Sequence, residues 1–320
     1  MLVDMPQEHM EHYTGAYQEP SDLDAFWRDT LADEPGATGV QAELVQTSVR
    51  TIDIFDVVFR GHGGDPVRAW LRIPAGVRDR LPVIVEYVGY GLGRGLPTEN
   101  LFFASSGFAH LHMDTRGQGA QGGVGHTADS GRHDPQYPGF MTRGIRSRES
   151  YYYKRLYVDA VRAVSAAKQL PNIDPDRVGV HGKSQGGGIA LAVAGLRPDI
   201  SALAAFVPFL CDFPRAIRIT DSHPYREIGE YLSVHRKDVD LVHRTLSYFD
   251  GVGLARRATA PALFTTALMD PVTPPSTVFA AYNNYGGPKA LEVWPFNGHE
   301  GGGHLDENLA VEHFTHVLSG

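Results

Sequence analysis

Five residues constrain this chain more than any other stretch: Gly182-Lys183-Ser184-Gln185-Gly186. An apolar run at 177–181 precedes them, and a small-residue run with helical spacing, 189–196, follows. A sharp turn from strand to helix needs glycines two before and two after its central residue, because side chains there collide with neighbouring elements. Such a turn belongs to a sheet whose strands feed helices, and the rest of the chain keeps that rhythm. Strands are predicted at 51–60, 67–73, 83–88, 108–113, 177–181, 202–207, 262–268 and 290–294. Helices are predicted at 152–168, 189–196, 276–285 and 305–318. Strands alternating with helices imply an α/β fold built on a mostly parallel central sheet flanked by helices on both faces.

Three stretches depart from the alternation. Residues 1–45 read as helical and amphipathic, with Phe26, Trp27 and Leu31 apolar and Ser21 as the N-cap. The strands at 51–60 and 67–73 are joined by Gly61-His62-Gly63-Gly64-Asp65, which predicts a hairpin. Residues 212–249, rich in charge and aromatic rings at helical spacing, read as a helical insertion after the sixth strand, covering one end of the sheet. No Pro/Gly/Ser linker flanks the insertion. The expected organisation is therefore one domain over 1–320, with 1–80 as an N-terminal extension plus the first strands.

Composition removes several classes of function. With 42% hydrophobic and 21% charged residues, the chain has the apolar content to bury a core, which excludes disorder as its main state. Its net charge of −8 is the wrong sign for a nucleic-acid surface. The single cysteine, Cys211, excludes an intramolecular disulfide, fits a reducing compartment and reads as a small buried apolar residue. The acidic, polar first residues lack a signal-peptide pattern, and no apolar run approaches the ~20 residues a membrane span requires. A cytoplasmic protein that does not bind membranes is expected.

A serine at a strand-to-helix turn of this kind is a candidate nucleophile, and the helix N-terminus behind it favours developing negative charge. The same turn would also suit a phosphate. Serine alone is a poor nucleophile near neutral pH and needs a positioned base. In α/β-hydrolases the order along the chain is Ser, then Asp or Glu, then His. Asp270 directly follows the strand at 262–268, and His299 lies in the glycine-rich loop Asn297-Gly298-His299-Glu300-Gly301-Gly302 after the last strand. Both fall at the sheet edge where Ser184 sits. Asp250, Asp306 and His304 compete for these roles but are worse placed, before the strand or inside the final helix. Two backbone N–H groups are needed to hold an oxyanion. One is expected from Gln185 and the other from the loop Gly89-Tyr90-Gly91, whose Tyr90 ring also walls the pocket.

Other patterns carry less. Gly89, Gly91, Gly93 and Gly95 imitate a dinucleotide loop, but no helix follows in register. His110 and His112 alternate on one strand without a third metal ligand at a recognisable spacing. Arg116 and Gln118 either anchor their loop or hold a polar substrate, with anchoring favoured. Nothing calls for a metal or an organic cofactor.

Longer strings carry a family resemblance. They are Arg116-Gly117-Gln118-Gly119, Tyr137-Pro138-Gly139-Phe140-Met141-Thr142-Arg143-Gly144-Ile145, Tyr151-Tyr152-Tyr153, the elbow through Gly188, Thr245-Leu246-Ser247-Tyr248-Phe249-Asp250, the run from Pro274 to Asn283, and Gly298-His299-Glu300. In this order they resemble the acetyl xylan esterase and cephalosporin-C deacetylase family, a carbohydrate-esterase branch of the α/β-hydrolases, over essentially the whole chain. The resemblance implies a serine esterase that deacetylates small acetylated sugars, xylo-oligosaccharides and cephalosporin C. It puts Ser184, Asp270 and His299 in the triad positions and Tyr90 and Gln185 in the oxyanion-hole positions. It further implies intracellular, ring-like hexamers whose sites face an inner cavity. Two departures stand out: Val88 replaces the histidine usual before Gly89, and Lys183 replaces a common glycine, adding positive charge near the pocket. A peptidase of the prolyl-oligopeptidase type, a broader short-chain carboxylesterase and a non-catalytic scaffold are the rival readings.

Overall fold

The computed structural model describes residues 4–33, 39–129 and 134–319. Nine strands form one sheet: β1 (Gln41–Leu44), β2 (Ile52–Arg60), β3 (Pro66–Pro74), β4 (Leu81–Tyr87), β5 (Ala109–Met113), β6 (Ile173–Lys183), β7 (Ala202–Phe206), β8 (Ala262–Ala267) and β9 (Lys289–Trp294). Their spatial order is β1-β2-β3-β5-β4-β6-β7-β8-β9. The first three strands form an antiparallel meander, and β3 joins β5 antiparallel. From β5 to β9 every pair is parallel. The hairpin predicted at 51–73 is present, with Arg60 opposite Pro66.

The parallel strands read as apolar runs because both their faces are covered. Successive residues of β4 show the period of two: Val83 and Val85 enter one core, Ile84 the other. Helices Tyr152–Ala167 and Gln185–Leu196 cover the first face, and His304–Leu318 packs Ala310, Phe314 and Leu318 on the second. This is the mostly parallel, helix-flanked sheet expected from the alternation, in keeping with the α/β-hydrolase fold that the resemblance implies.

The N-terminal region departs from expectation. Instead of one helical stretch it holds helices Gln7–Met10 and Leu23–Asp33 and then strand β1. All four residues of β1 are exposed at the sheet edge, so no apolar alternation marks it. Residues 1–3 and 34–38, part of the predicted helical stretch, lie outside the described residues. Ser21 is not the N-cap: the first helical bond runs from Phe26 N–H to the Asp22 carbonyl, one residue further on. The Asp22 carboxylate instead accepts from Arg148 and from Tyr248.

The insertion is present as three helices, Phe213–Ile219, Tyr225–Val234 and Val239–Leu246, following β7. With β1 counted, the strand before it is the seventh rather than the sixth. The segment after these helices meets the N-terminal helix in an aromatic seam. Trp27 Nε1 donates to the Tyr248 carbonyl at 2.9 Å, and Trp27 contacts Tyr157 and Phe249.

Candidate active site

Ser184 sits between β6 and helix Gln185–Leu196 with φ 57° and ψ −121°, a strained conformation for a non-glycine residue. The structure shows why the flanking glycines are required. A Cβ on Gly182 would lie 2.2 Å from the Gly186 carbonyl carbon, and one on Gly186 would lie 1.9 Å from the Tyr87 carbonyl oxygen. Both clashes are with backbone, so no rotamer relieves them. The turn is further pinned by Ser184 N–H to the Phe206 carbonyl and by Phe209 N–H to the Ser184 carbonyl, both at 2.9 Å.

The sequence-predicted residues converge here. His299 Nε2 lies 2.9 Å from Ser184 Oγ, and its Nδ1 lies 2.8 Å from Asp270 Oδ2. Asp270 is fully buried at the end of β8. Its Oδ1 accepts from the N–H groups of Val272 and Thr273. Its Oδ2 also accepts from the Thr273 hydroxyl at 2.6 Å. The carboxylate is thus fixed in orientation before it meets the imidazole, and its contact to Nδ1 selects the tautomer that leaves Nε2 free to accept the serine proton.

The loop carrying His299 is tied at both ends. The Glu300 carboxylate accepts from Gly298 N–H and from Asn297 Nδ2. Lys183 Nζ donates to the Glu300 carbonyl at 2.7 Å, joining the elbow to the loop that carries the imidazole. Lys183 also lines the cleft, so it contributes both a tether and a cation there.

Gln185 begins the helix, so its N–H has no intrahelical acceptor. Its side chain turns inward. Gln118 Nε2 and the Tyr153 hydroxyl donate to Gln185 Oε1 at 3.0 and 2.9 Å, and Gln185 Nε2 donates to the Val88 carbonyl. Gln118 Oε1 accepts from Gly91 N–H at 2.7 Å, bracing the loop that carries Tyr90. A valine at position 88 therefore leaves that loop held from behind by Gln118. The Tyr90 hydroxyl donates to Glu227 Oε1 at 2.7 Å and accepts from the N–H groups of Gly139 and Phe140. Burial pushes the carboxyl of Glu227 up from its ordinary value, and burial likewise keeps Tyr90 protonated as a donor.

The remaining candidates have structural work. Arg116 is buried and pairs with Asp159 through two bonds, 2.5 and 2.8 Å, and with Asp65 and Asp129. It anchors, as does Gln118. Asp250 caps helix Gly251–Ala255, and Asp306 accepts from Trp294, Gly302 and Thr265. His304 is exposed, with its Nδ1 2.8 Å from Glu307 Oε2. His110 bonds Glu86 at 2.7 Å, and among the described residues no group of three or more metal-ligating side chains is assembled. The glycine loop at 89–95 packs on residues 123 and 124 through backbone bonds, and the helix after it, Phe102–Ser105, has four residues.

Sequence reasoning missed Thr273, Glu300 and Glu227. Thr273 had a local signal, a threonine three residues after an aspartate in a turn. Glu227 had none, because it meets Tyr90 from a helix 137 positions away.

Ser184 and His299 open into a cleft of about 1090 Å³, with Val88, Gly89, Tyr90, Lys183 and Val272 among its walls. The profile of the acetyl xylan esterase family matches residues 1–317. The acetyl xylan esterase of Paenibacillus sp. R4 superimposes with a TM-score of 0.91 at 38% identity, covering 98% of this chain and 100% of that one. Acetyl xylan esterase 1 of Thermoanaerobacterium sp. JW/SL YS485 gives 0.88 at 30% identity, covering 98% and 99%. Acetyl esterase Axe7A of Xylanibacter ruminicola is 30% identical over an alignment of 307 residues that covers 93% of this chain and 66% of that protein. The chain thus spans just under two thirds of that relative.

Proposed function

Because the chain belongs to the acetyl xylan esterase family of carboxylic ester hydrolases, we propose that it removes acetyl groups from small acetylated carbohydrates, with xylo-oligosaccharides and cephalosporin C-like esters as the substrate class. The observation that carries this reading is the relay from Ser184 Oγ through His299 to Asp270, with contacts of 2.9 and 2.8 Å at the mouth of a cleft.

In the proposed mechanism His299 Nε2 takes the Ser184 proton as Oγ attacks the acetyl carbonyl. Asp270 holds Nδ1–H and stabilises the imidazolium that forms. The N–H groups of Gln185 and Tyr90 receive the oxyanion. The tetrahedral intermediate collapses, His299 gives its proton to the departing sugar oxygen, and an acetyl-serine remains. Water, deprotonated by His299, then releases acetate and restores Ser184.

We read the whole chain as one α/β-hydrolase domain acting in the cytoplasm as a homo-oligomer, a hexamer by the family resemblance. No helix among the described residues is long and apolar enough to cross a membrane. The test of the reaction class is hydrolysis of p-nitrophenyl acetate, butyrate and octanoate. A steep fall in kcat/KM from acetate to octanoate is expected. A preference for octanoate would replace the deacetylase with a lipophilic carboxylesterase.

A further inference from the structure

The cleft has a second polar end that the acyl-transfer relay does not use. Glu86 on β4 and His112 on β5 are opposite each other in the sheet, and both line the cleft together with Asn100. The Glu86 side chain is 15% exposed. Its Oε2 is occupied, accepting from Asn100 Nδ2 at 2.8 Å and contacting His110 Nε2 at 2.7 Å. Those contacts fix the carboxylate, and among the described residues no donor meets Oε1. His112 is more than nine-tenths buried, and among the described residues its Nδ1 has no hydrogen-bond partner. Burial pushes the His112 imidazole down to about 3, so it is neutral at pH 7. With Nδ1 enclosed, Nε2 is the ring nitrogen left for a ligand in the cleft that His112 lines.

A fixed carboxylate and an imidazole at the wall of the cleft offer hydrogen-bonding capacity that the acyl-transfer relay does not use. The acetyl group does not use it either. It is a methyl on a carbonyl, it fills little of the cleft, and its carbonyl oxygen is already assigned to the N–H groups of Gln185 and Tyr90. What remains to be bound is the alcohol half of the ester. A carboxylate oxygen that accepts and an imidazole nitrogen that accepts or donates match neighbouring hydroxyl groups.

We propose that Glu86 and His112, backed by Asn100, form a subsite for the free hydroxyl groups of the leaving alcohol, so that the enzyme selects acetyl esters of polyhydroxylated alcohols over acetyl esters of alcohols without hydroxyls. The subsite rests on the deacetylase reading above and adds the residues that recognise the sugar.

The experiment compares kcat/KM for acetylated xylobiose with kcat/KM for p-nitrophenyl acetate in the wild type, Glu86→Gln and His112→Leu. Thermal melting establishes that each variant is folded. The expected result is a fall in the sugar-to-aryl ratio by roughly tenfold or more in either variant, since a site built to bond a hydroxyl discriminates strongly once the bond is lost. An unchanged ratio overturns the subsite, whether both activities fall together or neither does. Should Glu86→Gln not fold, unacetylated xylobiose is used as a competitive inhibitor of p-nitrophenyl acetate hydrolysis. Inhibition by the wild type that weakens roughly tenfold in His112→Leu supports the subsite, and equal inhibition overturns it. A wild type that cleaves p-nitrophenyl acetate but not the sugar ester overturns the subsite and the sugar substrate class and leaves the acyl-transfer relay standing. One that cleaves neither overturns the reaction reading and the subsite with it.

Discussion

Thr273 shows how much of the candidate relay depends on single hydrogen bonds. Its hydroxyl donates to Asp270 Oδ2, the oxygen that also meets His299 Nδ1. Thr273→Ala removes that restraint and leaves the two backbone bonds to Oδ1. We expect kcat for p-nitrophenyl acetate to fall roughly tenfold with KM little changed, the pattern of a group that orients the base rather than binds substrate. A rise in KM at constant kcat would assign Thr273 to substrate binding instead. Tyr90 acts at the same scale. Tyr90→Phe keeps the backbone N–H but leaves Glu227 Oε1 without its donor, and we expect a stability loss of about 1–3 kcal/mol by chemical denaturation. No loss would mean that water replaces the hydroxyl fully. Ser184, Asp270 and His299 were legible in the sequence because chain order and strand ends place them. Glu227 was not, because nothing near it in the chain reports its contact with Tyr90.

Elements translate these contacts into position. The elbow is legible in five residues because its two glycines face backbone on both sides, a constraint with no alternative residue. Gly186→Ala would place a methyl 1.9 Å from the Tyr87 carbonyl. That variant is expected to lose the native fold or melt far below the wild type, and a wild-type melting temperature would contradict the packing described. Lys183 links the elbow to the His299 loop through the Glu300 carbonyl. Lys183→Met should lower kcat severalfold while the fold persists, since loosening a base by a fraction of an ångström costs rate. An unchanged kcat would make the tether incidental. The strands of the parallel sheet were readable from apolar runs, their ends within a few residues. Strand β1 was not, because an exposed edge strand of four residues has no buried face to impose a period.

At the scale of the whole molecule, the N-terminal segment, the insertion and the helix that follows it are joined by polar contacts that composition does not reveal. Tyr13 donates to Asp212, whose N–H donates to Asp250. Burial and then the charge of Asp212 push Asp250 up to about 7. The folded state therefore holds this proton more tightly than the unfolded chain, whose aspartate titrates near 3.8. Its contribution to stability is complete below the unfolded value and is lost as pH rises toward and through about 7. The melting temperature of the wild type minus that of Asp250→Asn should fall as pH is raised from acid to neutral. A difference independent of pH would show that Asp250 does not titrate in this window.

The central claim is that Ser184 is the atom that becomes acylated. The direct measurement is treatment of the wild type and Ser184→Ala with a fluorophosphonate probe, followed by peptide mass mapping. The account predicts one adduct, on the peptide containing Ser184, none in the variant, and loss of p-nitrophenyl acetate hydrolysis in both the labelled enzyme and the folded variant. An adduct on another residue, or a folded Ser184→Ala protein that hydrolyses the ester at the wild-type rate, would contradict it.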